Sequence, residues 1–168
     1  MIKKILIAYA TRYGSTTKIA ETIQNKLSEL GYETKTANIL DIDSIESYDA
    51  IIVGSPLNMG KWLPEAKEFM QFRKNELNKV PVIAFTTGIT LKNPTEHNIL
   101  KAKFATDEIL PYVQPKETGF FAGNLNSNEL NENDKQIIIL AKPETGDFRD
   151  FSKVENWTKT IAEKYFNH

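Results

Sequence analysis

The sequence contains no cysteine among its 168 residues and only two histidines, His97 and His168. The absence of cysteine excludes disulfides, thiolate metal sites and cysteine nucleophiles. The two histidines are far apart and His168 is the last residue of the sequence, so we expect no histidine-based metal site. Any redox chemistry would therefore depend on an organic cofactor.

Long apolar runs and an excess of charge of one sign are also missing. No apolar run approaches the ~20 residues of a membrane span, so we expect no transmembrane segment. The apolar run after the first lysines ends at Thr11-Arg12, which predicts a first strand rather than a signal peptide, and hence a cytoplasmic protein. The formal net charge of −1 gives no support for a nucleic-acid partner. The sequence leaves the oligomeric state open.

What the sequence does contain is an alternation of apolar runs and amphipathic segments. The apolar runs predict strands over residues 2–9, 32–38, 50–54, 80–87 and 118–122. Helical spacing predicts helices over residues 17–30, from Pro64 to about residue 77, and over residues 96–110. A capping box at Ser152-Lys153-Val154-Glu155 predicts the start of a final helix.

This alternation indicates one α/β domain over residues 1–168. Strands that alternate with helices form a parallel sheet with helices on both faces, and five strands suit the doubly wound order 2-1-3-4-5. An insertion at about residues 124–145 begins with a segment rich in asparagine, glutamate and serine, which we interpret as a surface loop. Its apolar run, residues 137–140, is compatible with either strand or helix.

A hydroxyl- and glycine-rich turn joins the first strand to the first helix. Hydroxyls and free backbone N–H groups at a helix N-terminus bind anions, which predicts a phosphate site. An ordinary turn with serine or threonine as the helix N-cap is the alternative. The charges of Arg12 and Lys18 would either neutralise part of the phosphate or face solvent. The turn consists of Thr11, Arg12, Tyr13, Gly14, Ser15 and Thr16.

Two further loops follow the third and fourth strands, and the predicted topology brings all three to one edge of the sheet. Together they offer backbone groups and apolar side chains to a flat ring, with Trp62 either covering the ring or packing against the next helix. The second loop contributes Ser55, Pro56, Leu57, Asn58, Met59, Gly60 and Trp62, and the third contributes Thr86, Thr87, Gly88, Ile89 and Thr90.

The chain resembles flavodoxin-fold, FMN-binding proteins, because Thr11-Arg12-Tyr13-Gly14-Ser15-Thr16 is similar to their phosphate loop. At position 12 the flavodoxins usually have a hydroxyl residue, whereas this chain has arginine. An arginine in this loop resembles the menaquinone-dependent protoporphyrinogen dehydrogenases. Residues 54–60, Ala122-Gly123 and residues 146–150 also resemble segments of those enzymes. The resemblance implies FMN as cofactor, with a redox partner protein, a quinone or a small molecule as electron acceptor.

The insertion of those dehydrogenases is basic and aromatic. Here, residues 124–140 are acidic and amide-rich, so the insertion differs from theirs in composition. The substrate therefore stays open. An FMN-dependent oxidoreductase is the leading hypothesis, and a one-electron carrier is the alternative. A third, non-redox class is a fold relative that has lost FMN or a response-regulator-like module, and the lack of clustered acidic residues near the end of the first strand argues against the regulator. His97 is interpreted as a surface residue rather than a proton donor.

Overall fold

The computed structural model describes residues 1–141 and 144–167. His168, and residues 142–143 of the predicted insertion, lie outside the described residues. The strands are β1 (Lys4–Tyr9), β2 (Glu33–Asn38), β3 (Ala50–Asn58), β4 (Lys61–Trp62), β5 (Val82–Gly88), β6 (Thr118–Ala122), β7 (Asn124–Leu125) and β8 (Gly146–Asp147).

Five of these strands form the central sheet in the order β2-β1-β3-β5-β6. All four pairings between them are parallel. With the core strands counted alone, this is the predicted doubly wound order, and the predicted fold class is confirmed. The order reverses between β1 and β3, which places the switch point of the sheet at the carboxyl ends of these two strands.

Helices cover both faces of the sheet. They are α1 (Ser15–Glu29), α2 (Pro64–Phe72), α3 (Lys74–Leu77), α4 (Glu96–Thr106), α5 (Glu132–Ala141) and α6 (Phe151–Ile161). Short 3₁₀ turns lie at Ile39–Asp41, Ile89–Lys92, Asp107–Ile109 and Ser127–Glu129, and a π-helical turn, Ala162–Phe166, extends α6.

Two apolar layers form because successive strand side chains point to opposite faces of the sheet. One layer contains Leu6 and Val53 with residues of α2, and the other contains Ile7 and Ile52 with residues of α1 and α6. Both layers are buried, which explains why the core strands have nearly continuous apolar sequences.

Two expectations about local structure are wrong. The N-cap of the last helix is Asp150, whose side chain accepts a hydrogen bond from the Lys153 backbone N–H, so Ser152 lies inside the helix and does not begin a capping box. The segment at residues 124–133 is not a plain surface loop, because it contributes β7, a 3₁₀ turn and the start of α5. The apolar run at residues 137–140, for which strand and helix were both possible, is helical.

Candidate functional site

The loop between β1 and α1 leaves the start of the helix open. Gly14 is the N-cap, in the left-handed region at φ 85°, and no side chain of the described residues caps the helix. Its N–H donates instead to the Thr11 hydroxyl at 2.9 Å, which closes the turn. The interpretation of serine or threonine as N-cap is therefore wrong, and the first N–H groups of α1 are placed to bind an anion.

Several hydroxyls from the predicted site face inward. Thr16 is fully buried, and its Oγ1 lies 3.3 Å from that of Thr87. The Ser55 hydroxyl accepts a hydrogen bond from the Leu63 N–H at 3.0 Å and donates to the Pro56 carbonyl at 2.9 Å. These side chains hold the carboxyl ends of the strands together beneath the loops.

Trp62 belongs to the core rather than to the surface of the site. It is 2% exposed, and its Nε1 donates to the buried Thr86 hydroxyl at 2.8 Å. Thr86 Oγ1 in turn lies 2.6 Å from Thr106 Oγ1. This geometry supports the packing interpretation of Trp62 and not the one in which the indole covers a ring.

The second loop is a β-hairpin. β3 continues through Asn58, and Leu57 pairs with Trp62 in an antiparallel register. Met59 at φ 53° and Gly60 at φ 76° form the tight turn, as expected for a two-residue hairpin with two positive φ values. A positive φ is uncommon for methionine, so the backbone of Met59 is strained, and its side chain is 75% exposed beside the cleft.

A cleft lies between these loops and the insertion. Its walls are mainly apolar, and the end of β5 contributes to its lining. The lining residues from the predicted loops are Arg12, Tyr13, Ser15, Pro56, Leu57, Asn58, Met59, Thr87, Gly88 and Ile89, and those from later segments are Gly123, Asn124, Leu125, Leu130, Asp134, Ile137, Ile138 and Ala141.

A neighbouring cleft lies on the other side of the hairpin. Gly60 and Thr90 line it together with the exposed His97 and the exposed side chains of Leu100 and Phe104. The two clefts share Leu57, Met59, Gly88 and Ile89. The predicted site residues therefore divide among the main cleft, this second cleft, the polar network beneath them and the turn that Thr11 and Gly14 close.

The insertion contributes a side chain that the sequence did not predict as part of the site. Asp134 of α5 accepts from Arg12 Nε at 2.7 Å and from Nη2 at 3.1 Å, and it also accepts from the Tyr13 hydroxyl. The hydrogen bond from Arg12, followed by that from Tyr13, lowers the pKa of Asp134 below its usual range. Hydrogen bonding to Asp134 likewise raises the pKa of Arg12.

Arg149 is a second residue that the site prediction missed. Its side chain is 8% exposed, and its Nη1 donates to the Ser15 carbonyl at 3.3 Å. Asp147 accepts two hydrogen bonds from the same guanidinium, from Nε at 2.8 Å and from Nη2 at 2.6 Å, and these lower the Asp147 pKa. Arg149 thus ties the segment before α6 to the first turn of α1.

Two kinds of site are absent from the described parts of the chain. Within residues 1–141 and 144–167, no group of three or more histidine, aspartate and glutamate side chains is arranged to hold a metal ion. In the same residues no helix is both long and apolar enough to cross a membrane.

The fold is that of flavodoxin-like proteins. Residues 6–152 match the flavodoxin domain family, and the chain belongs to that family. It is 24% identical over 171 residues to the protoporphyrinogen IX dehydrogenase [quinone] of Escherichia coli (strain K12), with 95% of this chain and 94% of that protein covered. The predicted resemblance to both groups is confirmed.

Solved structures agree on the fold. A Fusobacterium nucleatum flavodoxin bound to flavin mononucleotide superposes with a TM-score of 0.60 at 15% identity, over 98% of this chain and 99% of that one. A mutant flavodoxin from Pseudomonas aeruginosa has a TM-score of 0.63 at 14% identity, over 98% of this chain and 99% of that one.

Proposed function

We propose that this protein binds FMN in the main cleft and acts as an FMN-dependent oxidoreductase. The observation that carries the proposal is the open N-terminus of α1 beside an apolar cleft at the sheet's switch point. A phosphate fits the uncapped N–H groups, and a flat ring fits the walls. When bound, FMN supplies the capacity to accept and return electrons, which no side chain of a cysteine-free chain provides.

The proposed roles follow from the position of each loop. Thr11, Gly14 and Ser15 hold the phosphate, chiefly through backbone N–H groups at the start of α1. The β3–β4 hairpin and residues 87–89 enclose the ring, with Met59 and Ile89 as apolar contacts. Thr16, Ser55, Thr86 and Trp62 support these contacts from beneath.

Two observations favour an oxidoreductase over a carrier. α5 lies over the cleft and adds Ile137 and Ile138 to its wall, which creates an apolar compartment for a small molecule. The net charge of −1 also provides little electrostatic steering toward a basic protein partner. The similarity to a quinone-linked dehydrogenase supports a substrate of that kind, and we propose a quinone or another small molecule as electron acceptor.

One observation favours the alternative, a one-electron carrier. Met59, Leu100 and Phe104 expose 75%, 56% and 80% of their surface beside the hairpin. An exposed apolar patch next to a redox site is suited to docking of a protein partner.

Visible spectroscopy tests the proposal. Protein incubated with FMN and then desalted is expected to stay yellow, and a colourless product would contradict the redox function. Reductive titration of the yellow protein, followed by assays of protoporphyrinogen oxidation with a quinone acceptor, separates the two candidates. Turnover supports the oxidoreductase, whereas two well-separated one-electron steps without turnover support the carrier.

Arg149 provides a test of the phosphate site. Because its guanidinium holds the Ser15 carbonyl, Arg149→Met is expected to weaken FMN binding about tenfold, the value of one hydrogen bond to a charged group. Arg149→Lys should recover only part of this loss, since an ammonium cannot bond Asp147 and Ser15 through a planar fork. FMN affinity is measured by quenching of flavin fluorescence.

The exposed Lys159 of α6 supplies the control for this test. Lys159→Met removes a positive charge from the last turn of α6, at the end of the helix remote from Arg149. FMN affinity should stay within about twofold of the wild type. Equal affinity in the Arg149→Met and Lys159→Met variants would show that Arg149 does not position the loop.

A further inference from the structure

Two segments that are distant in the sequence contact each other beside the cleft. One is the Arg12-Tyr13 pair in the loop before α1, and the other is the insertion that contains α5. Asp134 of α5 accepts from both Arg12 and Tyr13, and the Asn131 N–H donates to the Tyr13 hydroxyl at 3.3 Å. These contacts join segments separated by more than a hundred residues in the sequence.

The Arg12 guanidinium donates two hydrogen bonds to the Asp134 carboxylate. Its Nε and Nη2 each contact a different oxygen of Asp134, which is a bidentate geometry. The Asp134 side chain is 13% exposed and that of Arg12 is 39% exposed, so the pair is partly shielded from solvent. Asp134 thus takes two of the five N–H donors of Arg12 and fixes the orientation of the guanidinium toward α5.

The charge of Asp134 also favours a pairing role for Arg12. An unpaired carboxylate beside the start of α1 would repel a phosphate group, and Arg12 neutralises it. The backbone N–H groups at the helix N-terminus remain available to the anion without any arginine.

We propose that Arg12 and Asp134 form a latch that holds α5 over the flavin, and that Arg12 serves this latch rather than the flavin phosphate. Asp134 is thereby a positioning residue. It keeps Ile137 and Ile138 in the wall of the cleft and restricts exchange of the bound flavin. This inference rests on the proposed flavin site.

The double variant Arg12→Gln/Asp134→Asn tests the latch without changing net charge. Dissociation of FMN and of riboflavin, which lacks the phosphate, is measured by stopped-flow fluorescence. A latch acts on both flavins alike, so both dissociation rates should rise by a common factor of about ten. A loss confined to FMN would identify Arg12 as a phosphate ligand, and unchanged rates for both flavins would also overturn the latch.

The matched control is a second ion pair on the same helix. Lys135 Nζ lies 3.7 Å from Glu132 Oε1, so this pair links two positions of α5 to each other rather than to the loop. Glu132→Gln/Lys135→Gln also preserves net charge, and both dissociation rates should stay within about twofold of the wild type. A rise equal to that of the first double variant would show that helix stability, not the latch, is responsible.

Hydrogen exchange separates failure of the latch from failure of the flavin site. If the wild-type protein binds neither flavin, the proposed function fails, but the contact between α5 and the loop can still be measured. The latch predicts about tenfold faster amide exchange in α5 of the Arg12→Gln/Asp134→Asn variant than in the control, with exchange in β1 and β3 unchanged. Equal exchange in α5 of the two variants would overturn the latch.

Discussion

Replacing Gly54 by alanine is expected to lower the free energy of unfolding by about 3 kcal/mol or more. Gly54 pairs with Phe85 across β3 and β5, and the aromatic ring lies over the glycine. An added Cβ would lie 2.0 Å from Phe85 Cζ and 2.2 and 2.3 Å from two further ring atoms. Phe85 is fully buried, so its ring cannot move aside into solvent. Urea unfolding followed by circular dichroism measures the loss.

A second variant tests whether the aromatic ring is the cause. Phe85→Leu shortens the side chain above Gly54 and is expected to be destabilising alone, because it leaves a cavity. Combined with Gly54→Ala, it should restore part of the stability lost by the glycine variant, since the clash is relieved. If Gly54→Ala is as stable as the wild type, or if the two losses simply add, the close packing of Phe85 on Gly54 is not the determinant.

The core strands can be predicted from the sequence because their environment is uniform. β1 and the first half of β3 are buried on both faces, so each appears as an unbroken apolar run. The predicted bounds of β6 are those of the structure. The parallel order follows from the alternation with helices, which leaves few possible connections.

The insertion could not be predicted because its structure depends on distant contacts. Residues 126–133 have a composition typical of loops, and α5 contains no fully buried residue. What fixes α5 is the contact of Asp134 with Arg12 and Tyr13, and the position of Ile137 and Ile138 in the cleft wall. A local pattern carries no information on such partners, although the apolar run at residues 137–140 does indicate regular structure.

The candidate site could likewise be predicted only in part from the sequence. The three loops lie where the topology places them, but the direction of individual side chains required the structure. Trp62 is opposite Leu57 in a hairpin and therefore enters the core, where it bonds Thr86. Asp150 caps α6 although a serine two residues later fits a capping pattern better.

Gly14→Ala is expected to weaken FMN binding about a hundredfold while leaving riboflavin within about twofold. Gly14 lies at φ 85°, and a Cβ there would meet nothing within 4 Å. The penalty is therefore conformational, about 1–2 kcal/mol, and the loop can escape it by rotating out of the left-handed region. That rotation turns the first N–H groups of α1 away from the phosphate, with a loss of ~1.5–3 kcal/mol for each charged hydrogen bond. Fluorescence titration gives both affinities.

Gly31→Ala is the matched control, because Gly31 lies just beyond the other end of α1 at φ 96° and an added Cβ there would also meet nothing within 4 Å. Both variants should lose about 1–2 kcal/mol of stability in the absence of flavin, since the strain is the same. Only Gly14→Ala should then discriminate against the phosphate. Equal FMN affinity in the two variants would place the phosphate elsewhere, whereas parallel losses of FMN and riboflavin would show that Gly14 shapes the cleft rather than the anion site.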